Sequence, residues 1–309
     1  MKVEQNESKV KVLYIVGTGH SGSTLLNLIL GSSKNAYSLG EVAHFSQSGL
    51  QQCNCSEIIS TCDLWGEYFS KFSLGDTEGI YPLKSSFKEY LKFMFACLLK
   101  RNRVGLASLF SGKNYADSVL YNELLSKVKG SIRPGVEILI DSSKGFNRLF
   151  YLSTLPGIDL SVIHLVRDGR SVIHSYEKRG YSGFTRIFKW LLINLQIDFF
   201  CKKFMKSKSL RLSYDQFCMD PSLALAQINS FFGLKDDTVK YLDDVNSSVN
   251  HNFAGNHHVS RKKIESVRCD LSWKKNFSWL KATMLSVLLY VPNKIWVYPS
   301  KKKLKEVKE

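Results

Sequence analysis

The stretch that decides the fold is Lys11–Leu26, KVLYIVGTGHSGSTLL. Lys11–Val16 is a short apolar run, and Gly17 stops it. An unbroken apolar run of this length suits a strand buried on both faces of a parallel sheet. From Ser23 to Leu30 the apolar residues return at helical spacing. The loop between them comprises Gly17, Thr18, Gly19, His20, Ser21, Gly22, Ser23 and Thr24. Gly17 and Gly22 have the spacing of a phosphate-binding loop, and a loop entering a helix presents free N–H groups and a positive dipole end to an anion. A nucleotide triphosphatase carries lysine after the second glycine; Ser23 stands there instead, followed by Thr24.

Further strand candidates lie downstream. Val136–Ile140 leads into Asp141-Ser142-Ser143-Lys144, and Leu160–Val166 leads into Arg167-Asp168-Gly169-Arg170. Ser209–Leu212 leads into Tyr214-Asp215. Each ends in polar residues, at the edge where open parallel α/β sheets bind ligands. Helices are expected over 171–176 and from Asp220-Pro221 to about Gly233. No comparable strand run occurs between Glu41 and Gly130, and Phe87–Leu109 reads as amphipathic helix. The expected fold class is α/β: a P-loop-like open parallel β-sheet flanked by helices. We read residues 1–309 as a single domain with its core at about 10–44 and 131–280. A helical insertion at about 45–130 would lie over the acceptor side, and a basic tail follows at 299–309.

The chain has 309 residues and a formal net charge of +16, which favours anionic partners. No apolar run is long enough to span a bilayer and no leader is evident, so the expected location is cytoplasmic. Lys301-Lys302-Lys303 with Trp296 and Tyr298 is compatible with peripheral contact with an anionic membrane surface. No zinc-finger, helix-turn-helix or aromatic RNA-binding motif appears, so no specific nucleic acid is expected.

The glycine loop, Arg167 at a strand end and Ser175 eight residues on together resemble the sulfotransferases that use 3′-phosphoadenosine 5′-phosphosulfate (PAPS). VRDGRSVIHSY (Val166–Tyr176) looks especially like the Golgi-type carbohydrate and protein-tyrosine branch and its bacterial relatives. LRLSYDQFCMDP (Leu210–Pro221) is similar to the tyrosine-acidic segment of that family. GNHHVSRKK…DLSWKKNF (Gly255–Phe277) is similar to its nucleotide-closing loop. The matches run from residue 11 to about 277, omitting the insertion. The resemblance implies that the loop holds the 5′-phosphosulfate and that Arg167 and Ser175 hold the 3′-phosphate. It further implies that Tyr214 contacts adenine and that Arg261, Lys262 or Lys263 closes over the nucleotide. The donor product carries no β- or γ-phosphate, so neither a Walker lysine nor a metal is expected. One departure stands out: the family usually has Arg or Lys where this chain has His20.

Sulfuryl transfer needs a proton acceptor for the attacking hydroxyl. Glu41, seventeen residues after Thr24, matches a glutamate base of the tyrosyl-protein branch, and His44 is the other candidate. Lys144 matches a lysine that stabilises charge on the bridging oxygen. His20 is expected to donate to a sulfate oxygen. Resemblance to this branch favours a hydroxyl on a glycan or glycolipid as acceptor. The competing readings are a P-loop kinase or NTPase, for which Asp141 would be the metal-binding acid, and a basic nucleic-acid binder.

Cys53, Cys55 and Cys62 cluster among seven cysteines. Zinc takes four ligands, and the sequence offers only His44 as a distant fourth. A similar Cys-x-Cys…Cys-x-x-Trp pattern recurs in some relatives of the branch and implies a local structural role, such as a disulfide. Free thiols are what a reducing compartment favours. Metal, disulfide and free thiols all stay open from the sequence.

Overall fold

The structure is a computed structural model. It describes residues 9–47, 52–73, 95–99, 116–235, 238, 240–247, 250–256, 259 and 262–298. Five strands form one sheet: β1 (Val10–Gly17), β2 (Ala36–Gly40), β3 (Ile138–Lys144), β4 (Ile158–Val166) and β5 (Ser209–Ser213). Their order is β2-β3-β1-β4-β5 and every pairing is parallel.

The central strands send apolar side chains to both faces of the sheet because both faces are covered. Val12, Tyr14 and Val16 of β1 join one core with Leu120, Leu124, Leu149, Phe150, Ile197 and Phe200. Leu13 and Ile15 point the other way and join Leu26, Ile29, Leu212, Phe217, Leu225 and Ile228. The period-2 alternation of the strand thus divides the interior into two layers of helices. The helix α1 (Ser23–Gly31) follows the glycine loop directly.

Four of the expected strands are present, with shifted bounds. β3 begins at Ile138 and runs through Asp141-Ser142-Ser143 to Lys144, so the polar residues expected after the strand belong to it. The sequence reading omits β2, AYSLG, although all five of its residues are buried. Its polar Ser38 is accommodated by partners on other elements: Asn27 Nδ2 donates to its hydroxyl at 2.5 Å, and the hydroxyl donates to Asn252 Oδ1 at 2.7 Å. Most of the expected helical stretch 87–109 lies outside the described residues; 95–99 is helical.

The helix Asp117–Lys127, within the segment expected as an insertion, is tied to the sheet by buried charge. Arg148, fully buried, pairs with Asp117 at 2.8 Å and with Asp141 at 3.0 Å. Tyr121 donates its hydroxyl to Asp141 at 2.5 Å and accepts from Arg148 Nη2 at 2.9 Å. Asp117 and Tyr121 belong to the insertion helix Asp117–Lys127, while Asp141 is on β3. Among the described residues no helix is long and apolar enough to cross a membrane.

Candidate active site

A cleft of about 540 Å³ opens at the C-terminal ends of the strands. Its walls come from the glycine loop, the β2 exit, the end of β3, the β4 exit, and Gly255, Asn256 and Val259. Ten of the residues expected at the site line it: Gly19, His20, Gly22, Ser23, Thr24, Glu41, Lys144, Arg167, Ser175 and Tyr214. Gly17, Thr18 and Ser21 are buried beneath the loop and do not line it. Arg261 lies outside the described residues.

The loop is shaped by close contact. Gly22 has φ +93°, and a Cβ there would lie 2.1 Å from the Tyr214 ring. Only glycine satisfies both demands, a left-handed backbone and no room for a side chain. This packing lets the first turn of α1 face the cleft. Tyr214 in turn lies under the Arg167 guanidinium, 5.3 Å from carbon to ring centroid, and burial pushes its phenol upward.

Arg167 makes no strand-end pair with Asp168. Its Nη1 donates to the carbonyl of His20 at 3.0 Å and its Nη2 to the carbonyl of Asp270 at 3.3 Å. It therefore spans the glycine loop and the chain entering DLSWKKNF. Asp168 pairs with Arg170 instead, at 2.5 Å, which gives Arg170 a structural role. The Ser175 hydroxyl donates to the Ser171 carbonyl at 2.9 Å.

Glu41, only 6% exposed, stands between two basic groups. Lys144 Nζ donates to its Oε1, and His44 Nε2 lies 3.5 Å from its Oε2. The two residues named for the reaction centre, Glu41 and Lys144, thus meet across 103 residues of chain. Lys144 has φ +67° and His20 φ +65°. Left-handed conformations in non-glycine residues cost roughly 1–2 kcal/mol each and concentrate at functional sites.

His20 explains its departure from a basic residue. Burial first, then Arg179, Lys144, Arg167 and Arg186, lowers its pKa to about 4. The imidazole is neutral at neutral pH and sits edge-on to Tyr176, with centroids 4.6 Å apart. Positive charge comes from other residues. Four basic side chains line the cleft (Lys144, Arg167, Lys178 and Arg179) against two carboxylates, Glu41 and Asp270.

Sequence reasoning missed Lys178 and Arg179. They follow Ser175 by three and four residues, and that spacing places them on its face of the helix turn. It also missed Asn256, whose backbone N–H donates to Thr24 Oγ1 at 3.3 Å. Gly255 has φ +81°, and a Cβ there would lie 3.1 Å from both Glu41 Oε1 and Thr24 Oγ1.

Asp141 does not serve a metal in the cleft. It is fully buried, and Arg148, Tyr121 and Ser143 occupy its carboxylate. The acid that an NTPase reading requires is committed to structure.

The three cysteines meet a histidine that the sequence reading did not pair with them. The ligand atoms of Cys53, Cys55, Cys62 and His251 all lie within 4.8 Å of one another. His44, the distant fourth ligand of the sequence reading, is turned to Glu41 instead.

No protein-family profile and no curated protein matches the sequence. Solved structures that match along nearly the whole chain include two sulfotransferase domains. The sulfotransferase domain from the Synechococcus PCC 7002 olefin synthase has TM-score 0.55 at 18% identity, covering 93% of this chain and 96% of that one. The sulfotransferase domain from the curacin biosynthetic pathway has TM-score 0.50 at 16% identity, covering 92% and 98%. The chain has the sulfotransferase fold. At these identities the likeness concerns the fold, and the cleft residues carry any statement about chemistry.

Proposed function

We propose that this protein transfers a sulfuryl group from PAPS to an acceptor hydroxyl. The observation that carries the reading is the meeting of Glu41 and Lys144 at the rim of the glycine loop, in a cleft closed by Arg167. The first-turn amides of α1 with Ser23 and Thr24 suit the 5′-phosphosulfate. Arg167 and Ser175, with Lys178 and Arg179, suit the 3′-phosphate, and Arg167 offers the planar fork that phosphate favours. Tyr214 offers a ring for adenine, and Arg261 a further cation for closure.

The chemistry needs few groups. The acceptor oxygen attacks sulfur as the bond from sulfur to the bridging phosphate oxygen breaks. Glu41 takes the hydroxyl proton, and Lys144 offsets charge developing on the bridging oxygen. His20, neutral, donates a hydrogen bond to a sulfuryl oxygen. As in phosphoryl transfer, positioning and electrostatics supply most of the acceleration.

The acceptor we favour is a hydroxyl of a glycan or glycolipid, with the insertion shaping its pocket. A peripheral membrane contact fits the helices Trp279–Leu288 and Tyr290–Trp296, where Trp279, Leu280, Val287, Tyr290 and Val291 are exposed, and a lysine-rich stretch follows in sequence. Isothermal titration with 3′,5′-ADP, the desulfated product, tests donor binding. Heat and a rise in melting temperature are expected, and the absence of both would sink the reading. Transfer of ³⁵S from labelled PAPS into extract glycans and lipids then identifies the acceptor.

A further inference from the structure

We propose that Cys53, Cys55, Cys62 and His251 hold one zinc ion in a closed tetrahedral site that fixes the segment 251–256 against the cleft. The site is built in two halves. Residues 52–58 form a tight knuckle: Gln52 and Ile58 pair antiparallel, Cys53 N–H donates to the Glu57 carbonyl at 2.8 Å, and Ser56 N–H returns to the Cys53 carbonyl at 3.0 Å. A short helical turn (Ile59–Thr61) then delivers Cys62. Opposite stands His251, from near the other end of the chain, with Nδ1 3.2 Å from Cys62 Sγ.

The distances suit a metal better than a disulfide. Zn–S bonds of about 2.3 Å at tetrahedral angles separate two sulfurs by roughly 3.75 Å. Cys55 Sγ and Cys62 Sγ are 3.7 Å apart, against about 2.05 Å for a disulfide. One disulfide would also leave a thiol and an imidazole over, whereas one zinc ion engages all four groups. Cys53, Cys62 and His251 are buried and Cys55 half-buried, so four protein ligands close the shell, as in structural sites. On binding, each coordinated thiol releases its proton to solvent and the imidazole binds through neutral Nδ1.

The surroundings hold the ligands in place. Asn54 N–H donates to the Asn252 carbonyl at 2.9 Å, and Asn54 Nδ2 to Asn250 Oδ1 at 2.6 Å. Trp65, three residues after Cys62, donates its indole N–H to the His251 carbonyl at 2.6 Å. From His251 the chain reaches the reaction centre within five residues. The Phe253 carbonyl accepts from Glu41 N–H at 3.5 Å, and Asn256 N–H reaches Thr24. The zinc site thereby positions the backbone behind Glu41 without touching the nucleotide cleft. This holds whether or not the chain transfers sulfate.

The test is metal analysis of the full chain purified under reducing conditions, with intact mass measured after denaturation. One zinc per chain and a mass for seven free thiols are expected. A metal-free chain two hydrogens lighter, or no uptake on adding zinc to the reduced protein, would overturn the proposal. Cobalt replacement should give the intense visible bands of tetrahedral thiolate coordination; a pale octahedral spectrum would count against it. Cys62→Ser and His251→Gln should each lose zinc, and Cys97→Ala, outside the cluster, should keep it. Should the first two fail to fold, the wild-type cobalt spectrum still decides.

Discussion

The glycine loop and the cysteine knuckle both reach the segment 251–256, yet they are built on opposite plans. The loop is contiguous, eight residues from the last of β1 to the second of α1, and it offers mainly backbone N–H groups and hydroxyls. The knuckle offers side chains only, and its last ligand comes from 189 residues away. A contiguous loop owes its form to local geometry: a left-handed Gly22, a helix start and a ring packed against it. The knuckle owes its form to the completed fold. One consequence is that damage to the loop should be felt in ligand affinity, and damage to the knuckle in stability and in the placing of Glu41.

The contrast is broken most forcefully at the junction of the two regions. Glu41→Gln should reduce turnover roughly 10²–10⁴-fold, the contribution of a general base, while 3′,5′-ADP affinity stays within a few-fold. Steady-state assays with titration calorimetry separate the two effects; unchanged turnover removes Glu41 as base. Arg167→Ala should weaken 3′,5′-ADP binding about 10–100-fold, as expected for lost hydrogen bonds to a charged group. Unchanged affinity would mean that Arg167 only ties the loop carbonyl of His20 to that of Asp270.

Gly22→Ala sharpens the local side of the contrast. A methyl group meeting the Tyr214 ring in a left-handed backbone should cost about 1–3 kcal/mol of stability, read from denaturant unfolding. A last effect concerns pH. Burial lowers His164 to about 4, and His20 also sits at about 4, against 6.5 unfolded. The folded state binds fewer protons than the unfolded one between these values, so stability rises with pH across that window. Their contribution is complete above 6.5 and is lost as pH falls toward 4. Melting curves from pH 4 to 8 should rise and then level off, and His164→Gln should reduce the slope.

The legibility of the molecule follows the same division. β1, β3 and β4 were readable because central strands covered on both faces carry continuous apolar runs, whereas the edge strand β5 was marked only by the short run Ser209–Leu212. β2 was not, because its buried Ser38 depends on Asn27 and Asn252, and sequence spacing does not show such partners. Glu41 and Lys144 were found through motif resemblance, and the fold brings them into contact. Lys178 and Arg179 were within reach of helical spacing from Ser175 and were passed over. His251 carried no local signal, and the nearer His44 drew attention that its place beside Glu41 does not support.

The buried Arg148 bears on how this chain can be shortened. One of its carboxylate partners, Asp117, lies on the helix Asp117–Lys127 of the expected insertion, and the other, Asp141, on the sheet. Removing one partner of a buried ion pair typically costs about 3–5 kcal/mol, because a charge stays behind without its counterion. Excising the insertion would therefore leave its mark inside the remaining sheet, at a position the deletion never touches. A chain shortened in this way would need a second change at residue 148, to an apolar side chain of similar volume. The two parts of the chain are not interchangeable modules, and substitutions that remodel one are constrained by the charge balance of the other.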